Sequence, residues 1–134
     1  MKRVLYDTNV LLDVLLAREP HVVESARALD AVAAGRVHGF VSAHAVTTVF
    51  YVLERDVGTA RAKAVLGQLL GRLVVAPVTD ATVRAALAGP LDDFEDGVTL
   101  AAGQEIGVDV IVTRNGKDFV GGSIAAVHPA SLVA

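Results

Sequence analysis

The sequence contains no cysteine and no tryptophan among its 134 residues. The absence of cysteine excludes disulfides and thiolate-ligated metal sites. Aromatic residues make up only 4% of the chain, which argues against a nucleic-acid surface built from base-stacking platforms. The formal net charge of −3 and the isoelectric point near 5.7 do not indicate a broad basic surface for nucleic acid.

Long hydrophobic runs are also missing, although hydrophobic residues make up 53% of the chain and the mean hydropathy is +0.52. No apolar run reaches the ~18 residues that a membrane span needs. No basic N-terminal segment leads into an apolar stretch with a small-residue cleavage site. We therefore expect a cytoplasmic protein with no membrane contact, folded as a single domain over residues 1–134 around a well-filled core.

Short apolar runs alternate along the chain with helical patterns that end at glycine or proline. This alternation is typical of βαβ units and predicts an α/β fold with a mostly parallel sheet. The predicted strands cover residues 4–6, 37–41, 73–76, 109–113 and 124–127, and the predicted helices cover residues 10–16, 21–34, 43–55, 60–70, 79–88 and 97–106.

The first predicted strand stops abruptly at a carboxylate, Asp7. Ligands of open α/β sheets bind just beyond the carboxyl ends of the strands, so Asp7 lies where a site is expected. Thr8 and Asn9 are predicted to cap the helix that follows, although Asp7 could itself be only a turn or cap residue. Asp13 is either an acid near a metal or a solvated helix residue.

A cluster of acids precedes the helix predicted over residues 97–106, with Asp92, Asp93, Glu95 and Asp96 within five positions. Their i,i+3 and i,i+4 spacings bring several of them onto one helix face, where like charges repel. The helix dipole relieves one or two acids in a first turn. A bound divalent cation would relieve the others.

Polar residues also follow the strand predicted near residue 112, among them Asn115 and Asp118. Asn115-Gly116 is a strong turn dipeptide, and such a turn can also aim a carboxylate. Asp7, Asp96 and Asp118 then converge as oxygen ligands. A site with only oxygen ligands favours Mg²⁺ or Mn²⁺, and such ions serve phosphodiester hydrolysis by activating water.

Three segments together closely resemble a PIN domain: DTNVLLD at residues 7–13, DFED at 93–96 and VTRNGKDF at 112–119. The resemblance covers nearly the whole chain and implies a three-layer α/β/α sandwich with a central, mostly parallel sheet. Many PIN domains are Mg²⁺- or Mn²⁺-dependent ribonucleases, including the VapC-type toxins of toxin–antitoxin pairs. Those toxins commonly form homodimers and are inhibited by a cognate antitoxin. The resemblance therefore implies a metal-dependent endoribonuclease, a phosphodiester hydrolase that is the toxin of a type II pair.

By position, Asp7 matches the first acid of the family and Asp96 matches the acid of its late helix. Asn115 stands where many members have a fourth acid, and Asp118 is a nearby acid that could take that role. The resemblance therefore implies catalytic roles for Asp7, Asp96 and Asp118, which would also be metal ligands.

The chain departs from the family at Thr48, near the position where PIN nucleases usually have a glutamate. Asp93 or Glu95 could replace this missing metal ligand. The departure leaves open whether one or two metal ions bind. Among the four histidines, which show no paired metal spacing, His44 alone is predicted to lie on the site side of its helix.

The predicted substrate contacts are polar residues at the two strand ends, with Arg114 and Lys117 as cations that could hold phosphates. These residues are Thr8, Asn9, Thr113, Arg114, Asn115 and Lys117.

The sequence leaves two other functions open. A non-catalytic PIN-fold module could bind an antitoxin or RNA, and metal-dependent cleavage by the purified chain would discriminate it from a nuclease. An aspartyl-phosphate phosphotransferase of the haloacid dehalogenase type also begins with a strand and an aspartate. That enzyme class needs a second aspartate two residues later, where this chain has Asn9.

Overall fold

The structure, a computed structural model, describes residues 1–132, so the last two residues of the predicted domain 1–134 lie outside the described range. Strands and α-helices alternate as predicted, with two short 3₁₀ helices near the end. The elements are β1 (Lys2–Tyr6), α1 (Thr8–Leu15), α2 (Val22–Ala33), β2 (Val37–Ser42), α3 (Ala43–Val57), α4 (Thr59–Leu70), β3 (Val74–Ala76), α5 (Asp80–Ala88), α6 (Phe94–Ile106), β4 (Val110–Val112), a 3₁₀ helix (Gly116–Phe119), β5 (Ala125–Val127) and a 3₁₀ helix (Pro129–Ser131).

The five strands form one sheet in the order β3-β2-β1-β4-β5, and all four strand pairings are parallel. The first strand is central, with Leu5 paired to Phe40 on one side and to Ile111 on the other. The predicted parallel α/β fold is confirmed. Because the chain leaves β1 for β2 on one side and returns to β4 on the other, the ends of β1 and β4 form a topological switch point.

Alternating side chains of β1 supply two separate hydrophobic cores. Val4 and Tyr6 are fully buried in a core that also contains α1 to α4. Leu5 faces the opposite side, where it is buried with Leu100 of α6 and Ile111 of β4. Since successive strand residues point to opposite faces, this division produces the predicted α/β/α layers.

Two helix starts differ from the prediction because aspartates that precede the helices act as caps. Asp7, rather than Thr8 or Asn9, is the N-cap of α1 and accepts a hydrogen bond from the Thr8 backbone N–H at 2.8 Å. Asp93 is the N-cap of α6, which therefore begins at Phe94 and not at residue 97. An aspartate oxygen satisfies the free N–H groups of a first helical turn as well as a hydroxyl does.

Two hydroxyl groups at helix starts make no cap hydrogen bond. Ser42 occupies the N-cap position of α3, but its buried hydroxyl has no hydrogen-bond partner in the described part of the chain. Thr59 is the first residue of α4, and its hydroxyl donates to Glu54 Oε2 at 2.8 Å instead of capping its own helix. Over residues 1–132, none of the helices combines the length and the hydrophobicity required to cross a membrane.

Candidate active site

Asp7 lies at the switch point, directly after β1 and beside the end of β4. Its backbone N–H donates to the Val112 carbonyl at 2.9 Å, so the main chains of the two strand ends are joined. The side chain is 9% exposed and accepts hydrogen bonds from Thr8 N–H and from the Thr113 hydroxyl, both at 2.8 Å. A third donor, Asn9 Nδ2, lies 3.4 Å from the carboxylate.

Burial raises the pKa of the Asp7 carboxyl above its ordinary value, and the negative charge of Asp118 acts in the same direction. The hydrogen bonds from Thr113 and Thr8 oppose this rise because they stabilise the charged form, and His44 opposes it too. Asp7 is therefore a buried carboxylate that accepts hydrogen bonds from two fixed donors. The charge of Asp118 influences its pKa.

Asp96 lies in the first turn of α6 and is half-buried, with its backbone N–H donating to Asp93 Oδ1 at 2.9 Å. Burial raises the pKa of Asp96 to about 7, and the charges of four further acids add to the effect. In decreasing order of influence, these acids are Asp93, Asp7, Asp118 and Glu95. The other four predicted catalytic or metal-binding acids thus all influence the charge of Asp96, although the five residues come from three separate parts of the sequence.

Two clefts receive these side chains. The first, which we call the acidic cleft, has a volume of about 230 Å³ and is lined by Asp7, Thr8, Asn9, Leu12, Arg18, Glu95, Asp96 and Asn115. The second cleft has a similar volume and is lined by Pro90, Leu91, Asp92, Asp93, Lys117, Asp118 and Val120. Within residues 1–132, no three His, Cys, Asp or Glu side chains are already grouped closely enough to hold a metal ion.

Thr113 and Asn9 form a hydrogen-bonded bridge between the two strand ends. Thr113 is fully buried, and its hydroxyl oxygen accepts from Asn9 Nδ2 at 3.3 Å and from the Asn115 backbone N–H at 3.1 Å. The Asn9 amide oxygen accepts from the Arg114 backbone N–H at 3.3 Å. These residues hold Asp7 and the following loop in place, whereas their predicted contacts with substrate stay predictions.

Arg114 is paired with a buried acid on α1. Its Nε lies 2.7 Å and its Nη2 lies 3.2 Å from the two carboxylate oxygens of Asp13, which also accepts from the Ser25 hydroxyl at 3.0 Å. The Asp13 side chain is 0% exposed and that of Arg114 is 22% exposed, so the interpretation of Asp13 as a solvated residue is wrong. A phosphate contact by Arg114 stays a prediction, and it would have to form beside this ion pair.

His44 faces the site from α3, as its position in the sequence predicted. Its Nε2 lies 3.4 Å from the Thr99 hydroxyl of α6. Burial lowers the pKa of His44, while the charges of Glu95 and Asp7 and a hydrogen bond to the Glu95 main chain act in the opposite direction. Thr48 lies one turn further along the same helix.

One cleft residue, Arg18, was not among the predicted site residues. It follows α1 in a segment that the sequence marked only as a helix break before Pro20. A local pattern could not reveal its position, because the same cleft is also lined by Glu95, Asp96 and Asn115, which are distant in the sequence.

Comparison with known proteins identifies the family. The sequence model described as "PIN domain" matches residues 3–117. This chain belongs to the PIN domain family. The resemblance to PIN domains that the sequence indicated is confirmed, and the match includes Asp7 and Asn115 after the ends of β1 and β4.

Solved PIN-fold structures resemble the chain over most of their length. A toxin–antitoxin complex from Klebsiella pneumoniae has a TM-score of 0.72 at 22% identity, covering 96% of this chain and 99% of that one. DNA-bound VapBC from Salmonella typhimurium has a TM-score of 0.70 at 18% identity, covering 96% and 99%.

A third structure is VapC20 of Mycobacterium tuberculosis, described as a sarcin-ricin loop cleaving toxin. It has a TM-score of 0.63 at 19% identity and covers 81% of this chain and 86% of that one. At these identities the likeness concerns the fold. A comparison with curated protein sequences finds no matching relative.

Proposed function

We propose that this protein is a metal-dependent endoribonuclease that acts in the cytoplasm as the toxin of a type II toxin–antitoxin pair. The observation that carries the proposal is the setting of Asp96 in a PIN-family fold, where burial first, and then the charges of four other acids, raise its pKa to about 7. Asp7 is buried and Asp96 is half-buried. Keeping both ionised beside further acids is unfavourable without a neutralising partner, which supports a site that binds a cation.

The donor set fits Mg²⁺ or Mn²⁺, since all the acids offer oxygen and both clefts lack sulfur ligands within the described residues. Asp7, Asp96 and Asp118 would hold the ion, with Asp93 or Glu95 in place of the glutamate missing at Thr48. When bound, the ion supplies Lewis-acid activation of water and neutralises charge on the phosphate.

The chain's own residues prepare the site for that chemistry. Thr113 and the Thr8 N–H fix the orientation of the Asp7 carboxylate through hydrogen bonds at 2.8 Å. Such hydrogen bonds to a ligating carboxylate orient it and tune its affinity for the metal. The N-cap bond between Asp93 and Asp96 N–H fixes the first turn of α6 in the same way.

The proposed partners are single-stranded RNA as substrate, a cognate antitoxin and a second copy of the chain. The similar structure from Klebsiella pneumoniae is described as a toxin–antitoxin complex, which supports an antitoxin partner. VapC20 is described as cleaving an RNA loop, which supports an RNA substrate. The family match favours this function over the phosphotransferase alternative.

The first experiment titrates Mn²⁺ into the purified protein by calorimetry, beside the variants Asp96→Asn and Asp56→Asn. Asp56 is an exposed acid on α3 and serves as the control for loss of one surface charge. We expect binding by the parent and by Asp56→Asn, and loss of binding in Asp96→Asn. Equal binding by Asp96→Asn would contradict the proposed metal site.

The second experiment measures cleavage of a mixed single-stranded RNA in Mg²⁺, in Mn²⁺ and in EDTA. The parent should cleave only with metal. Asp7→Asn should not cleave, because asparagine keeps the shape and an acceptor for the Thr8 N–H but removes the charge and the second acceptor oxygen. Metal binding without any cleavage would instead favour the non-catalytic module that binds an antitoxin or RNA.

A further inference from the structure

Arg18 presents a positive charge to the acidic cleft. It lines this cleft together with Glu95 and Asp96 and lies just after α1, the helix that Asp7 caps. Among the lining residues, all within the described range 1–132, Arg18 is the only cationic side chain. Its guanidinium makes neither an ion pair nor a hydrogen bond with any other described residue.

The main chain around Arg18 is held firmly although its side chain is free. The Arg18 N–H donates to the Asp13 carbonyl at 2.9 Å and the Ala17 N–H donates to the Val14 carbonyl at 3.3 Å, which is the pattern of a Schellman helix end. Ala17 has a φ of 50°, a left-handed conformation that favours glycine. The Arg18 carbonyl in turn accepts from the Val22 N–H of α2 at 2.8 Å.

The two cations predicted to hold phosphates have other surroundings. Arg114 is engaged with the fully buried Asp13, and Lys117 lines the second cleft. A polyanion that approaches Asp7 and Asp96 therefore meets several carboxylates and one available guanidinium. Arginine suits this role because its planar fork binds two phosphate oxygens at once.

We propose that Arg18 binds a backbone phosphate of single-stranded RNA next to the phosphate that reacts, and so holds the substrate in the acidic cleft against the repulsion of the carboxylates. This inference rests on the proposed nuclease function and adds a residue that positions the substrate. Arg18 would act on binding of RNA, while the acids act on the reacting phosphate.

The test measures binding of a fluorescein-labelled single-stranded RNA by anisotropy in Mg²⁺, in the Asp7→Asn background so that the RNA stays intact. In that background, Arg18→Gln is compared with Arg36→Gln. Arg36 is exposed and precedes β2, so it lies at the amino ends of the parallel strands, whereas the acidic cleft lies at their carboxyl ends. Circular dichroism and thermal melting confirm that each variant folds.

We expect Arg18→Gln to raise the Kd about tenfold, as for loss of a hydrogen bond to a charged group. The slope of log Kobs against log salt should become shallower by about 0.7, the value for one phosphate contact on a single strand. Arg18→Lys should keep the slope and bind with intermediate affinity, because it keeps the charge and loses the fork. Arg36→Gln should change neither quantity.

Equal Kd and equal salt slope for Arg18→Gln and Arg36→Gln, with RNA bound by both, would overturn the role of Arg18 and leave the nuclease proposal standing. A different outcome would be that the Asp7→Asn protein does not bind RNA and the parent protein does not cleave RNA in the presence of Mg²⁺ or Mn²⁺. That outcome would overturn both the nuclease proposal and the role of Arg18.

Discussion

At the scale of single residues, Asp96 is where the charges of the acidic cleft converge. Burial and four neighbouring acids raise its pKa to about 7, whereas an aspartate in an unfolded chain titrates near 4. In the absence of metal, the folded state therefore binds one more proton than the unfolded state between these two pH values. Stability falls with rising pH wherever the folded state binds more protons.

We therefore predict that Asp96 lowers the stability of the metal-free protein progressively from about pH 4 to about pH 7, and by a constant amount above pH 7. Asp96→Asn removes the titrating group. We compare urea unfolding of Asp96→Asn and of the parent in EDTA at pH 5 and at pH 8. The urea midpoint of the variant minus that of the parent should be larger at pH 8 than at pH 5. The exposed Asp56→Asn variant is the control. A difference between Asp96→Asn and the parent that stays the same at both pH values would refute this prediction.

At the scale of elements, the ion pair between Asp13 and Arg114 joins α1 to the loop after β4. The two residues are separated by 101 positions in the chain, and the carboxylate also accepts from Ser25 of α2. Both residues are near residues of the acidic cleft in the sequence. Asp13 lies in α1, the helix that Asp7 caps, and Arg114 directly precedes Asn115. The pair therefore fixes the two strand ends that carry the candidate ligands.

We predict that Arg114→Leu destabilises the protein by about 3–5 kcal/mol, because it leaves a buried carboxylate without its partner. Arg84→Leu is the matched control. It breaks the i,i+4 pair with Asp80, whose side chains are 76% and 79% exposed, and should cost about 0.5 kcal/mol or less. Chemical denaturation of both variants at neutral pH measures the difference. Similar losses in the two variants would mean that burial does not decide the strength of the Asp13 pair.

At the scale of the whole molecule, the sequence predicted the layers well because hydrophobic periodicity reports burial directly. Leu5, with Val4 and Tyr6 on either side of it, formed part of a continuous apolar run, which is typical of a parallel strand covered on both faces. The same pattern could not reveal the order of the strands, since no local signal states that β1 lies between β2 and β4. We expected a site at Asp7 because this residue follows a strand. The observed strand order adds that this strand end lies at a topological switch point, where ligands of open α/β sheets bind.

Long-range contacts account for what the sequence could not predict at the site. The partner of Asp13 is a residue near the other end of the chain. Thr113 binds Asp7 only because β1 and β4 are adjacent. The guanidinium of Arg18 gains its proposed role only because the fold brings it to the same cleft as the acids of α6. The Thr59 hydroxyl likewise does not cap α4, because it donates to Glu54 of the preceding helix.

Close packing of the layers gives a last prediction, which compares one substitution at two positions. Gly39 lies buried in β2, where a Cβ would be 2.6 Å from Leu73 Cδ2 and 2.6 Å from Val32 Cγ2 of α2. Gly67 lies exposed in α4, and a Cβ there would meet no heavy atom of the described chain within 4 Å. The helix can thus approach the sheet at Gly39 only because a side chain is missing.

Gly39→Ala should destabilise the protein by about 1–3 kcal/mol through overpacking. Gly67→Ala should stabilise it by about 1 kcal/mol, because alanine loses less conformational entropy in a helix. Thermal melting of the two variants in EDTA should therefore shift the Tm in opposite directions. A lower Tm in both would show that α4 does not tolerate a methyl group at Gly67. An unchanged Tm in Gly39→Ala would show that α2 can move away from the sheet without loss of packing, against the layered arrangement described above.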